Sequence, residues 1–315
     1  MLKFILKRVG YMFLTLWIIA TITFMLMHTV PGSPLASLGR KLPAATVANY
    51  NAKYGFDKPV FTQYKLFIKH IVMQGSLGES IFYPGRTVEK IIKDGLPISA
   101  RVGLQAVAFG FILGVILGII AAFKRGRWPD YLVMFIALLG ISVPSFVYAS
   151  ILQYFFTVRW QIFPTSGWGH GLNLISYSFL PSLALSFAPI ATYARYMRNN
   201  CLDVINQDYI LTAKAKGVSQ LALTWKHIIR NAILPSITIL GPEIAVILTG
   251  SFVIENIFAL PGLGNSFISA VTNKDYTMIM GLTIFVAFLY IVSLLVVDIL
   301  YSLIDPRIRI TGEKR

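Results

Sequence analysis

One carboxylate in this chain stands where few are tolerated. Glu243 lies near the middle of an apolar run from 231 to 254, and an ionised group at that depth in hydrocarbon costs roughly 2.5 kcal/mol or more. Such a residue either lines a path for a polar solute or sits protonated or hydrogen-bonded against a neighbouring helix, and both readings stay open. Enzyme chemistry finds less support. His28, His70, His170 and His227 are scattered, and Cys201 is the single cysteine, so neither a metal site nor an intrachain disulfide is expected. HExxH, GxSxG and paired-carboxylate patterns are absent. "LPGLGNSF" at 260–267 looks like a phosphate loop but lacks the Lys-Ser/Thr of GxxxxGK[ST], so Gly262 and Gly264 read as turn residues needing backbone freedom. No catalytic residue and no bound cofactor are expected, and any uphill work must draw its energy from another chain.

The elements that hold these residues are membrane helices. Hydrophobic residues make up 56% of the 315 and charged residues 13%, with a mean hydropathy of +0.69. Six apolar runs, roughly 9–30, 99–123, 131–156, 176–194, 231–254 and 278–303, each approach the ~20 residues needed to cross a bilayer. Backbone polar groups cannot go unpaired in lipid, and runs this long without alternation are helices. The basic start "MLKFILKRVG" leads into an apolar run longer than that of a signal peptide, which predicts a retained first span.

The net charge of +15 would point to nucleic acid in a soluble chain, but here its distribution over the loops matters more, and no nucleic-acid partner is expected. One side of the six spans carries 16 Lys/Arg, whereas the two short loops opposite carry only Arg159 and Lys274. The excess of basic residues places both termini and the stretch 195–230 in the cytoplasm. The expected divisions are 1–30 for the cytoplasmic N-terminus and first span, 31–98 for an extracytoplasmic loop region, 99–304 for a five-helix core, and 305–315 for a cytoplasmic tail.

Within the outer loop, "TVEKIIKDGLP" predicts a helix capped by Thr87 and stopped at Gly95 before Pro97. "FTQYKLFIKHIVM" predicts a second helix with Phe61, Tyr64, Phe67, Ile68, Ile71 and Val72 at helical spacing. The region reads as a cap on the helix ends or as a docking surface. Gly110, Gly114 and Gly118, four residues apart, predict a close helix–helix approach. Pro144, Pro181, Pro189, Pro235 and Pro242 interrupt later spans, either as plain kinks or where a cavity satisfies the freed carbonyls. Pro144 and Ser145 join Glu243 as candidates for the path; Arg101 and Asp298, nearer span ends, read as structural.

The stretch "QDYILTAKAKGVSQLALTWKHIIRNAILP" at 207–235 is polar and basic between two greasy runs. Asp208 is positioned to cap a short helix, Gly217 to stop it in a left-handed turn, and Ser219 to cap the next. Tyr209, Ile210 and Ala213 form its apolar stripe, with Ala213 and Ala215 small enough for close approach of a partner. Alternatively, Lys214 and Lys216 hold an amphipathic helix on anionic membrane lipid.

The segment "DYILTAKAKGVS...HIIRNAILP" resembles the cytoplasmic EAA-type loop of binding-protein-dependent ABC importer permeases, in the oligopeptide/dipeptide/nickel branch. Further matches run in the same order along nearly the whole chain: "YGFDKPVFTQY", "GSLGES", "GISVPSF", "LPSLALSFAPIATYARYMRNN", "ALPGLG" and "DPR". The long outer loop is similar to that of the branch's B-type permease. The acidic residue that names the loop falls at Leu211, with Thr212 and Ala213 in place of the two alanines, and only Ala213 and Gly217 agree with the core pattern.

The resemblance implies an all-α integral membrane fold of six transmembrane helices, like a type I ABC importer permease, in a bacterial cell membrane. It implies that Asp208, Tyr209, Thr212, Ala213, Lys214, Ala215, Lys216, Gly217, Val218 and Ser219 form the ATPase-coupling element. The implied partners are a second homologous permease, two cytoplasmic ATPase subunits that use ATP and Mg, an extracytoplasmic substrate-binding protein and a peptide substrate. Nickel import by the same branch, an ATP-independent carrier or channel, and a non-transporting scaffold are the alternatives.

Overall fold

The computed structural model describes residues 2–29, 43–247 and 250–304. The outer-loop residues 30–42, the pair 248–249 in the fifth apolar run, and the tail 305–315 with its "DPR" lie outside the described residues. Among the described residues the chain is helical, with one isolated antiparallel bridge between Glu79 and Thr87. Four helices among the described residues are long and apolar enough to cross a membrane, Leu6–Thr29, Val88–Phe123, Leu174–Ile205 and Tyr276–Val297; two bent helix pairs, each taken as one span, make six. The chain forms two compact units, residues 1–99 with 261–315, and residues 100–260.

The unit 1–99 with 261–315 contains α1 (Leu2–Thr29), α2 (Ala44–Tyr54), α3 (Val60–Gln74) and the start of α4 (Val88–Phe123). Phe24 of α1 packs with Tyr64 and Phe67 of α3 and with Tyr276 and Met280 further along the chain. Phe61 and Val72, which share that helical spacing on α3, are exposed, and no residue of α3 is fully buried.

The helix beginning at Val88 does not stop at Gly95. It runs through Pro97 to Phe123 as one element, with Thr87 Oγ1 accepting from the Lys90 N–H at 3.3 Å as a cap should. Gly95 serves packing instead: a Cβ there would lie 3.1 Å from the Gly262 carbonyl carbon and from the Leu263 nitrogen. Gly262 is extended (φ −93, ψ −176), and Gly264 lies inside a helix, so neither uses the backbone freedom expected of it. A left-handed residue does occur nearby, at Ala259, with φ 47.

In the unit 100–260, α4 continues to Phe123, followed by α5 (Trp128–Ser142), α6 (Ser145–Gln153) with a π-turn Tyr154–Arg159, α7 (Leu174–Ile205) and α8 (Asp208–Ala215). Then come α9 (Gln220–Ala222), a π segment Leu223–Ile229, α10 (Arg230–Ala232), α11 (Leu234–Ile247) and α12 (Phe252–Ile257). The run expected as one span at 131–156 is broken, with α5 and the helix after it bent by 100°. A residue before proline is pushed out of the helical region, and Val143 accordingly adopts φ −93, ψ 125 ahead of Pro144.

The glycine stripe of α4 meets α7 backbone to backbone. A Cβ on Gly114 would lie 2.7 Å from the Ile190 carbonyl oxygen, and one on Gly118 2.6 Å from that of Ala194. A Cβ on Gly140 of α5 would likewise lie 2.7 Å from the Phe187 carbonyl oxygen. Thus glycines on α4 and α5 let α7 approach both helices closely. Gln153 joins α12 to the loop before α7: its Nε2 donates to the carbonyls of Thr165 (2.9 Å) and Ile257 (3.0 Å).

In the other unit, α13 (Leu263–Thr272) and α14 (Tyr276–Ile304) follow. A core of Val88, Ile92, Leu263, Ala270, Met278, Ile279 and Leu282 joins them to the first turns of α4.

Candidate docking element and buried polar sites

The α8 helix is short and bounded by clear local signals. Gln207 occupies the N-cap position, and Asp208, expected as the cap, is the first helical residue, without a side-chain cap bond. Its carboxylate still complements the positive end of the helix dipole there. At the other end the Val218 N–H donates to the Ala213 carbonyl (3.2 Å) and the Gly217 N–H to that of Lys214 (3.0 Å), with Gly217 at φ 75. These two bonds with a left-handed residue between them form a Schellman stop. Ser219 Oγ then accepts from the Ala222 N–H at 3.4 Å and caps the next helix.

The face that α8 buries includes Ile210 and Ala213, which the sequence offered to a partner. Ile210 is 0% exposed and Ala213 8%, and both pack inward with Val115, Ala122, Met197, Cys201, Leu223 and Ile228. Ala213 shares this cluster with the π segment Leu223–Ile229, the element that α8 contacts, and with residues of α4 and α7. The surface left open carries Tyr209, Leu211, Thr212, Lys214, Ala215 and Lys216, with Leu221 and Trp225 exposed just beyond. Leu221 at 73% and Trp225 at 61% exposure are large apolar side chains of the type that mark contact surfaces when grouped. Beside α8, a cavity of about 280 Å³ is lined by Arg125, Asn206, Lys214 and Gln220, among others.

Among the path candidates, Glu243 accepts a hydrogen bond from the hydroxyl of Tyr193, a fully buried residue of α7. The carboxylate is thereby held by a partner helix. Pro144 and Ser145 mark the α5–α6 break and share no hydrogen bond with Glu243. A carboxylate not singled out by the sequence, Asp130, receives both Nε (2.6 Å) and Nη2 (2.8 Å) of Arg198, and the Gly126 N–H at 3.0 Å. That fork ties the α4–α5 turn to α7, and the Pro129–Asp130 pair at a helix start was its sequence signal.

Asp275 was also missed. Its buried carboxylate accepts from Ser80 Oγ (2.5 Å), the Ile81 and Phe82 N–H groups (3.2 Å each) and the Met278 N–H (3.2 Å). The last bond is an ordinary N-cap of α14, legible from an Asp just before an apolar run. The first three clamp a loop 195 residues away in sequence, which no local pattern reveals. In the same loop Glu79 pairs with Lys53 at 3.0 Å. The Lys53 hydrogen bond, then the Gly85 N–H, hold the Glu79 carboxyl below its ordinary pKa. Burial pulls Lys53 down, but its hydrogen bond to Glu79, the nearby Tyr54 and the Glu79 charge together outweigh this and leave it raised.

Comparison with known proteins agrees along the whole length. Residues 114–310 match the family "Binding-protein-dependent transport system inner membrane component", and residues 1–101 match the N-terminal family of such membrane components. The dipeptide transport system permease protein DppB of Bacillus subtilis is 41% identical over 310 residues, covering 98% of this chain and 99% of that protein. The oligopeptide transport system permease protein OppB of Haemophilus influenzae is 41% identical over 309 residues, covering 98% and 100%. In Escherichia coli, OppB is 40% identical over 309 residues with the same coverage. Among solved structures, an amino acid ABC transporter crystallised with histidines matches at a TM-score of 0.52 and 18% identity, covering 70% of this chain and 95% of that one; it bears on the fold.

Proposed function

The chain belongs to the family of binding-protein-dependent transport system inner membrane components, and we propose that it is one of two permeases in an ATP-driven importer of short peptides. The observation that carries the substrate class is its identity of about 40%, end to end, with dipeptide and oligopeptide permeases. The other subunits follow from the chemistry this chain lacks. It has no nucleotide-binding motif, so cytoplasmic ATPase subunits supply the energy and use the ATP and Mg. A second related permease completes the path, and an extracytoplasmic binding protein delivers the peptide. The charge distribution sets both termini and α8 on the cytoplasmic side.

In this reading α8 is the coupling element. Its outward residues Tyr209, Leu211, Thr212, Lys214 and Lys216 enter a groove on an ATPase, while Ile210 and Ala213 fasten it to the ends of α4 and α7. Because α4 and α7 are in backbone contact at Gly114 and Gly118, a displacement of α8 moves the two helices together. ATPase closure then biases which face of the bundle is open, as a rigid-body switch. Leu211, where the loop's usual acid is missing, makes this contact apolar, continued by Leu221 and Trp225. Glu243, Pro144 and Ser145 are assigned to the path: the first as a polar group held by Tyr193, the others at a bend.

Site-specific cross-linking tests the assignment. Cys201 is buried, so a cysteine introduced by Leu211→Cys is chemically distinct in the assembled importer. It is expected to cross-link to an ATPase subunit and to change its yield with ATP. A Leu211→Cys chain that stays accessible to a soluble thiol reagent in the intact complex removes the coupling role. Peptide flux through this chain alone in liposomes removes the ATP-driven reading altogether.

A further inference from the structure

We propose that the cavity between the Phe82–Arg86 turn and α13 is a peptide-binding subsite that recognises both charged ends of a short peptide, and this rests on the peptide reading of function above. The cavity holds about 330 Å³, at the small end of ligand pockets and matched to a di- or tripeptide rather than a longer chain. Its lining includes Arg86, Asp94, Asn265, Ser266, Ser269 and Asn273.

Three features separate it from a solvated crevice. The α13 sequence "LGNSFISAVT" contains no charged residue, although the open face of a surface helix ordinarily carries charge. Its apolar side, Leu263 and Ala270 with Phe267, goes to the core, while the neutral amides and hydroxyls of Asn265, Ser266 and Ser269, with Asn273 just beyond, line the cavity. Such groups hydrogen-bond peptide amides without competing for the charged ends.

Of the three charged lining residues, Asp275 is already engaged by Ser80 and neighbouring N–H groups, while Arg86 and Asp94 have opposite sign and no charged partner among the described residues. The Arg86 guanidinium rests 5.5 Å from the Tyr83 ring centroid. A guanidinium receives a carboxylate with two parallel N–H bonds, and a carboxylate receives an ammonium. The turn bearing Arg86 is also preformed. Asp275 holds Ser80, Ile81 and Phe82, and the Ser80 N–H donates to the Arg86 carbonyl at 2.8 Å. A ligand entering here therefore loses little affinity to ordering the site. In the proposed orientation the cavity faces the side from which peptide arrives.

The test uses the complete importer without its binding protein, in lipid nanodiscs, titrated with fluorine-labelled dialanine and with its N-acetylated and C-amidated forms. Dialanine is expected to bind at millimolar concentration or below, and each blocked form about tenfold more weakly, the factor for one lost charge-assisted hydrogen bond. Arg86→Ala should abolish the discrimination against the amide while keeping that against the acetyl form, and Asp94→Asn should do the reverse. No binding, or discrimination unchanged in both variants, overturns the subsite. So does weakened docking of the binding protein in both variants without any dialanine binding, which would make the cavity a seat for that protein. Uptake of dialanine by the complete importer is measured in parallel: uptake without a subsite leaves the proposed function standing, and no peptide uptake removes that function.

Discussion

Replacing Gly217 separates backbone strain from helix loss, because a Cβ at this position meets no atom within 4 Å. The only cost of a side chain is its conformation, φ 75, worth about 1–2 kcal/mol for an ordinary residue and less for Asn or Asp, which tolerate the left-handed region. Gly217→Asp is therefore expected to be accommodated. Proline is different. Its ring fixes φ near −65° and its nitrogen carries no hydrogen, so the Gly217-to-Lys214 bond is lost and the turn that aims the Val218 N–H at Ala213 is reversed. Those two bonds contribute about 2 kcal/mol, and uncovering Ile210 as the helix lifts adds about 1.5–3 kcal/mol. The total exceeds what an eight-residue helix can absorb locally. In proteoliposomes holding the complete importer, Gly217→Asn and Gly217→Asp should import peptide close to the parent rate. Gly217→Ala should lose a modest fraction, and Gly217→Pro should hydrolyse ATP without import. Equal import by the Asn and Pro variants, or parent-level import by Pro, would refute the reasoning.

Other perturbations probe the frame around α8. Gly118→Val forces a side chain toward the Ala194 carbonyl and Met197 Cβ, 2.6 and 2.7 Å from the new Cβ. It should destabilise the chain by about 1–3 kcal/mol, seen as a lower midpoint in thermal unfolding of the detergent-solubilised protein, with Gly118→Ala falling between. Arg198→Ala leaves the buried Asp130 with the Gly126 N–H as its remaining donor and should cost on the order of 1.5–3 kcal/mol; Arg198→Lys keeps the charge but loses the fork and should restore only part by the same assay. The folded pKa of Glu79 lies below its unfolded value. Its contribution is thus present above the unfolded value and is lost as pH falls through the folded one. Hydrogen exchange at the Gly85 amide, corrected for its intrinsic pH dependence, should show lost protection over that acidic window, and no change on Glu79→Gln would remove the assignment.

Much of the α8 element was readable in order along the chain. A helix over 208–215, a left-handed stop at Gly217 and a cap at Ser219 are local matters, settled by φ preference and side-chain reach within four residues. The side of α8 that faces inward is not local. Ile210, Ala213 and Tyr209 are neighbours on one short helix, and a stripe two turns long cannot say whether it meets a partner or its own α4 and α7. Burial assigns Ile210 and Ala213 to the core and leaves Tyr209 with Leu211 outside. The glycines divide the same way. Periodicity alone exposed the Gly110–Gly114–Gly118 stripe, whereas Gly95 read as a helix stop because its close approach to Gly262 joins residues far apart in sequence.

By itself the sequence determined that this chain is a membrane-embedded helical protein with six apolar runs, which way its basic loops bias it, and where its short polar helix starts and stops. These follow from transfer energies, charge placement and backbone preferences that act over a few residues. Only the tertiary structure decided that the third run breaks by 100° at Pro144, that Glu243 is held by Tyr193, and that Asp275 clamps the loop from Ser80 to Phe82. A carboxylate's capping bond lies within its own helix turn, but its remaining oxygen lone pairs are satisfied by whatever the fold brings near, and that is a property of packing.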